Sequence, residues 1–388
     1  MSGDGAEGGD VVKTAPSISE IPAAEWDRLA APDPAAANPF LKHAFLSALE
    51  RSGSVGAGTG WTPFHLTVRR GGALIAAAPA YLKDHSYGEY VFDHGWADAY
   101  ARAGGRYFPK LLCAAPFTPA PGPRLLGADD EARAILARSL IAAAEQLRLS
   151  SAHVLFTEED DALLKAGFLS RLGVQFHWRN RGYRTYDEFL VTLQSRKRKA
   201  LRRERREAAE GLSFRRVTGA EIRESDWDVF WRFYQDTGSR KWGRPYLTRI
   251  FFSMLGEAMR DDILLVFAES GGRAIAGALN LIGGDALYGR YWGRIEERPF
   301  LHFEVCYHQA IDFAIERGLS RVEAGAQGEH KLARGYEPTL TRSAHWIADR
   351  GFRDAVARYL EAERRQVDAE CIALWAETPY HRGEAAQH

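Results

Sequence analysis

Residues 325–338 read GAQGEHKLARGYEP, placing Gln327, Glu329, His330, Lys331 and Arg334 in one glycine-punctuated stretch. A fixed ammonium such as Lys331 suits an oxygen that becomes negative during a reaction. A guanidinium such as Arg334 can clamp a second anionic group, and His330 can exchange a proton. Upstream, PFLHFEVCYHQAIDFAIERG runs from Pro299, a favourable helix entry, to Gly318, a favourable stop. Its apolar residues Phe303, Tyr307, Ala310, Ile311, Ala314 and Ile315 recur with a helical period and so face a core, leaving Glu304, His308 and Asp312 as a polar stripe. An amine acceptor must lose a proton before it attacks, which makes Glu304 and His308 candidate bases. The plain alternative for both stretches is a set of solvated surface charges. A metal site from His302, Glu304, Cys306 and His308 is disfavoured, because positions 302 and 304 point to different sides of a helix.

Two further stretches concentrate polar chemistry. SRKRKALRRERREAAE packs eight Lys or Arg between Arg196 and Arg206 around the single Glu204. Arg198, Arg202 and Arg205 are candidate contacts to phosphates of tRNA, an acidic carrier protein, CoA or lipid headgroups. A structural helix neutralised by pairs such as Arg203 with Glu207 is the alternative. YLKDHSYGEYVFDHGWADAY mixes His85, Glu89, Asp93 and Trp96 with further aromatics, which suits either a ligand cleft or an aromatic-cored loop.

The elements that must hold these residues recur along the chain. VRRGGALIAAAPAYLK and AESGGRAIAGALNLIG each place a glycine pair, Gly71-Gly72 and Gly271-Gly272, between apolar runs, as hairpins do. LIAAAEQLRLSSAHV echoes AIDFAIERGLSRVEA, a helical run followed by a strand. KAGFLSRLGVQFHW echoes ARGYEPTLTRSAHW, aligning Gly167 with Gly335 and His177-Trp178 with His345-Trp346. Hairpin, helix and strand keep their order in both copies, so the fold class expected is α/β (α+β), two related units of mixed sheet flanked by helices. The organisation expected is a disordered leader over 1–16, a first unit over 17–185 with an insertion at about 83–123, a second unit over 186–378 opening on a basic helix at 195–210, and a flexible tail over 379–388. On the third alignment His330 and Lys331 fall on Ala162 and Leu163, so the first copy carries the scaffold without the charges.

Composition narrows the function classes. At 388 residues the chain exceeds one ordinary core. Its 51 Lys plus Arg balance 51 Asp plus Glu, so nucleic acid or membrane must be held by a local patch rather than a global field. Three dispersed cysteines form no CxxC pair, which points away from disulfides and zinc and fits a reducing cytoplasm. The first residues lack an apolar signal segment and no long apolar run follows, so the expectation is a cytoplasmic chain, with peripheral contact at the inner membrane left open.

These segments, together with NPFLKHAFLSALERSG, YFPKLLCAAPFTPAPGPRLL and FEVCYHQAIDFAIERGLSRVEAGAQGEHKLARGYEP, resemble the FemAB-like branch of the GNAT acyltransferases over residues 38–338. The resemblance implies two tandem GNAT-like units and an N-acyltransferase. Lys331 would face the donor carbonyl or phosphate; Trp292, Gln327 and Glu329 are further candidate substrate contacts. The donor implied is acyl-CoA or an acyl-carrier protein and the acceptor an amine, with lipid and sphingoid-type amines among the candidates. A FemAB-type aminoacyltransferase using aminoacyl-tRNA and a non-catalytic binding protein are the alternatives. Where CoA-dependent relatives carry a glycine-rich phosphate turn, this chain reads GRYWGRIEERPFLHFE, so phosphates would fall to Arg290, Arg294 and Arg298 around the lone Gly293.

Overall fold

The structure is a computed structural model that describes residues 9–33, 36–241, 245–325 and 328–381, without the side chains of 239–241 and 329. Gln327 and the side chain of Glu329 thus lie outside the described residues. The chain forms two compact units. One comprises Met1–Asp33, Phe40–Gly173 and Thr341–Arg365, and the other Pro34–Pro39, Val174–Leu340 and Gln366–His388. The chain passes from the first to the second at Gly173/Val174, inside a strand, rather than at the 185/186 junction expected from sequence, and residues 341–365 return to the first.

In chain order the strands are β1 (Val11–Ala15), β2 (Trp61–Pro63), β3 (His65–Arg70), β4 (Ala73–Ala78), β5 (Ala80–Lys83), β6 (Lys110–Cys113), β7 (Leu126–Gly127) and β8 (Ser151–Thr157). They continue as β9 (Leu169–Arg179), β10 (Ser213–Thr218), β11 (Ile263–Ser270), β12 (Arg273–Gly283), β13 (Ala286–Arg294), β14 (Arg321–Glu323) and β15 (Glu337–Ile347). Within the second unit the pairing runs β10, β11, β12, β13, β14, β9, antiparallel except between β13 and β14. Within the first unit β1, β3 and β4 pair antiparallel, β5 pairs antiparallel with β6, β6 parallel with β8, and β8 antiparallel with β15. The two patterns match once β4 and β5 are read as one strand broken at Pro79, which has no N–H to give a ladder.

The connections match as well. Two helices precede each glycine-pair hairpin: Ala23–Ala30 and His43–Arg51 in one copy, Glu224–Lys241 and Arg249–Ala258 in the other. Gly71, Gly72, Gly271 and Gly272 all have positive φ, the backbone such hairpins demand. The parallel pair is bridged by Asp130–Gln146 in the first unit and by the helical run Leu301–Glu316 in the second. Each unit has its own core, centred on Leu136, Leu140 and Val154 in one and on Val305, Ile311 and Val322 in the other. Strand β8 is buried along its whole length, as expected of a strand covered on both faces. Among the described residues no helix is long and apolar enough to cross a membrane.

The duplicated position of Lys331 is informative. Between β8 and β9 lies the short helix Asp161–Ala166, ending on Gly167 at φ 104; between β14 and β15 lies the 3₁₀ turn Glu329–Arg334, ending on Gly335 at φ 80. Both glycines adopt the left-handed conformation that stops a helix at low cost. Leu163 is fully buried in its copy, and Lys331 is only 1% exposed in its own. An ammonium therefore occupies a core position that the fold fills elsewhere with leucine.

Candidate active site

In the second unit β13 and β14 pair only over Ala286–Tyr288 and Arg321–Glu323. Beyond that point β13 runs on to Arg294 while the other chain turns at Gly325, whose φ is 79. The parting strands open a cavity of about 70 Å³ lined by Asn280, Gly289, Arg290, Trp292, His302 and Cys306, with Tyr307 on its wall. Register between β12 and β13 slips from Leu279–Tyr291 to Asn280–Gly289, so Arg290 is the extra residue of a bulge at the cavity. Bulges re-aim side chains in this way beside binding sites.

The helical wall also departs from regular geometry. The expected α-helix from Pro299 instead begins at Leu301, after Phe300 at φ 56, and winds as a π-helix over Glu304–His308 before regular turns resume at Gln309. The wider turn shifts the helical period, a device common at functional sites. Tyr307 OH meets His330 Nε2 at 2.9 Å, and the ring of His302 lies 4.3 Å from that of Trp292 and 5.3 Å from that of Tyr307. His330 is exposed, so this pair forms an outer rim.

Lys331 follows His330 in the chain, is buried, and is not among the residues that line the cavity. Its Nζ donates to the Gly325 carbonyl at 2.8 Å, and its backbone N–H to the Gly328 carbonyl at 3.0 Å. Burial pulls the Lys331 amine down to about 7, against an opposing influence from Cys306. Near neutrality it is therefore divided between ammonium and amine, able both to donate to an oxyanion and to exchange a proton.

Glu304 and His308, expected as bases on an open polar stripe, are instead 2% and 0% exposed and committed to a buried network. Glu304 accepts from Arg205 Nε at 3.1 Å, from Arg205 Nη2 at 3.0 Å and from Gln309 Nε2 at 2.8 Å. Arg205 also reaches Asp312 at 2.6 Å and lies 4.4 Å over the Tyr186 ring. Thus Arg205 is a pin between helices, not an open donor contact. His308 lies between Tyr186 OH at 2.6 Å and the Glu204 carboxylate at 2.8 Å. Arg334 forks onto Glu204 at 2.8 and 2.6 Å and stacks 3.4 Å over the Phe303 ring, so it too is held internally.

The other expected contacts divide. Arg290 and Trp292 line the cavity. Arg294 pairs at the surface with Glu297, and Gly293 serves packing rather than a phosphate cradle, since a Cβ there would come within 2.0 Å of the Phe233 carbonyl. On the basic helix, Ser195–Ala208, Arg202 pairs with Asp187 and Arg203 with Glu207, while Arg196, Lys197, Arg198, Lys199 and Arg206 have no side-chain partner among the described residues. In the first unit, the expected substrate cleft is closed. Glu89 and Asp93 are buried against Lys110 Nζ at 2.8 and 2.5 Å, Trp96 packs edge-on against His345 at 4.9 Å, and His85 Nδ1 accepts the Tyr87 N–H. Burial raises Glu89 to about 7 against the pull of Lys110. Burial also opposes ionisation of Asp93, but Lys110, His153 and the Ser86 hydroxyl together outweigh it and hold the carboxyl below its ordinary range.

Sequence reasoning missed Asn280, weighed Cys306 only as a disfavoured metal ligand and read Glu204 only as the single anion of the basic helix. A lone Asn within the apolar strand GALNLIG and a lone Glu among eight cations were the available signals.

Comparison with known proteins follows the same lines. No curated protein matches the chain. The crystal structure of FemX superposes with a TM-score of 0.53 at 13% identity, covering 87% of this chain and 98% of that one. A conserved protein of unknown function from Bacteroides thetaiotaomicron VPI-5482 gives 0.51 at 11% identity, covering 86% and 99%. At these identities the likeness is one of fold. The FemAB-like family model, described as peptidoglycan biosynthesis/recognition, matches residues 17–382, nearly the whole described chain, and the protein belongs to that family.

Proposed function

We propose that the protein transfers an acyl or aminoacyl group from an activated donor to an amine, with Lys331 at the reacting carbonyl in the second unit. Family and fold support a transferase of this general kind. The observation that carries the residue-level reading is Lys331 itself, an ammonium at a core position filled by Leu163 in the other copy. Lys331 does not itself line the cavity, but its Nζ is held on the Gly325 carbonyl, next to Ala324 of the cavity wall, and a buried charge that the fold does not need suits stabilisation of the tetrahedral oxyanion. Its lowered proton affinity also lets it return a proton as the intermediate collapses.

The cavity holds a small acyl group; a lipid or sphingoid-type acceptor would have to lie outside it. No glycine-rich cradle precedes the helix at Leu301, which speaks against CoA held in the usual way, whereas the unpaired cations of Ser195–Ala208 favour a donor borne on a phosphate-rich carrier, aminoacyl-tRNA or an acyl-carrier protein. The test supplies tRNA charged with labelled amino acids, or labelled acyl-CoA and acyl-carrier protein in parallel, with a small-molecule extract as acceptor. Amide formation gives label that survives mild base. Absence of base-stable label with every donor removes the proposal.

A further inference from the structure

We propose that Glu204, on the inward face of the basic helix, is the positioning residue for the turn that carries Lys331. The Glu204 side chain is about one-tenth exposed and has three charged or polar donors. Arg334 Nε and Nη2 fork onto its two oxygens, and His308 Nε2 donates to one of them at 2.8 Å. Arg334 closes the Glu329–Arg334 turn from below, since its Nη1 donates to the His330 carbonyl at 2.6 Å. It also lies flat on Phe303, at the edge of the π-turn. One carboxylate therefore ties three elements together: the basic helix, the π-turn bearing Cys306 and Tyr307, and the 3₁₀ turn bearing Lys331. Glu204 does not line the cavity, so it acts through Arg334 and His308 rather than on a substrate.

The Lys331 turn needs such an anchor. Six residues of 3₁₀ helix between two positive-φ glycines have little intrinsic stability. The turn also forces an amine into a site from which water is excluded, a placement that relaxes as soon as the turn can swing outward. Glu204 opposes that release with a bidentate, charge-assisted clamp. Burial works against ionisation of Glu204, but the hydrogen bonds from His308 and Arg334 prevail and hold the carboxyl below its ordinary range, so the clamp is charged throughout the neutral region.

The inference rests on the reading of Lys331 above only for its effect on rate; its geometry is tested in the resting protein. Protein labelled with ¹³C in lysine is titrated by NMR, the Lys331 Cε signal being assigned from its loss in Lys331→Arg. Wild type is expected to titrate near 7 at this position. In Glu204→Gln, which keeps shape but loses charge, the midpoint should climb by about one pH unit or more as water reaches the amine. Removing an anion without opening the turn would lower the midpoint instead, so an unchanged or lowered value in folded Glu204→Gln overturns the proposal. Glu204→Asp, which keeps the charge, should return the midpoint toward wild type; a midpoint as high as that of Glu204→Gln contradicts the role of the charge. Should Glu204→Gln not fold, Arg334→Lys, which keeps a cation without the fork, bears the same expectation and the same refutation. Transfer assays on Lys331 variants decide the proposed function separately.

Discussion

Replacing Lys331 with Met should make the protein more stable, and by an amount that depends on pH. The position is apolar and fully buried in the first unit, where Leu163 stands, so a linear apolar side chain of similar length should fit. Burial lowers the amine from its ordinary 10.5 to about 7, so its proton is held more weakly folded than unfolded. Below about pH 7 both states are protonated and the folded state bears the whole penalty, which that drop sets at roughly 5 kcal/mol. Between about 7 and 10.5 the unfolded chain holds the extra proton, so wild-type stability climbs with pH, and by about pH 9 the penalty should be near 2 kcal/mol. The hydrogen bond to Gly325 that Met gives up is worth about 1 kcal/mol in the opposite direction at every pH. Urea unfolding of both proteins from about pH 6 to 9 should therefore show an advantage for Lys331→Met that shrinks by about 2.5 kcal/mol across the range. A difference that stays flat with pH would mean that Lys331 is solvated in the folded state, and its burial could no longer explain a lowered proton affinity.

Arg205 and Arg198 share one helix and should behave oppositely. Arg205→Ala leaves Glu304 and Asp312 without their cation and should cost about 3–5 kcal/mol in denaturant unfolding, whereas Arg198→Ala should fall within about 0.5 kcal/mol of wild type. Changing Arg196, Arg198 and Lys199 together to Gln should raise the apparent Michaelis constant for a tRNA- or carrier-borne donor. It should also flatten the salt dependence, by about 0.7 in log–log slope for each single-stranded phosphate that is no longer neutralised. Unchanged donor kinetics and salt response in that triple variant would make the helix purely structural.

The duplicated architecture was legible because hairpin glycines, helical periods and the Gly167/Gly335 stops are local signals that survive divergence. The alignment that set Lys331 against Leu163 came from the same signals, and the structure gives the two residues equivalent connections and equal burial. Glu304 and His308 misled because a period read along one helix says nothing about what packs on its polar stripe. Arg205 and Glu204 arrive from about 100 residues away and bury that stripe as ion pairs. The π-turn was invisible for a related reason: nothing in the sequence EVCYH distinguishes a π-turn from a regular helical one. Of the two readings of the insertion's polar and aromatic stretch, the packed loop fits better, because Lys110, later in the same insertion, pairs with Glu89 and Asp93. Asn280, Arg290 and Cys306 converge from separate elements through the β-bulge and the π-turn, neither of which has a sequence signature here.

The central claim is that group transfer takes place beside Lys331, and the most direct measurement compares wild type with Lys331→Ala in the base-stable label assay at saturating donor. Loss of one group that stabilises the oxyanion should lower the rate by about 10² to 10³ while the thermal unfolding transition persists. Transfer by Lys331→Ala at the wild-type rate would contradict the account.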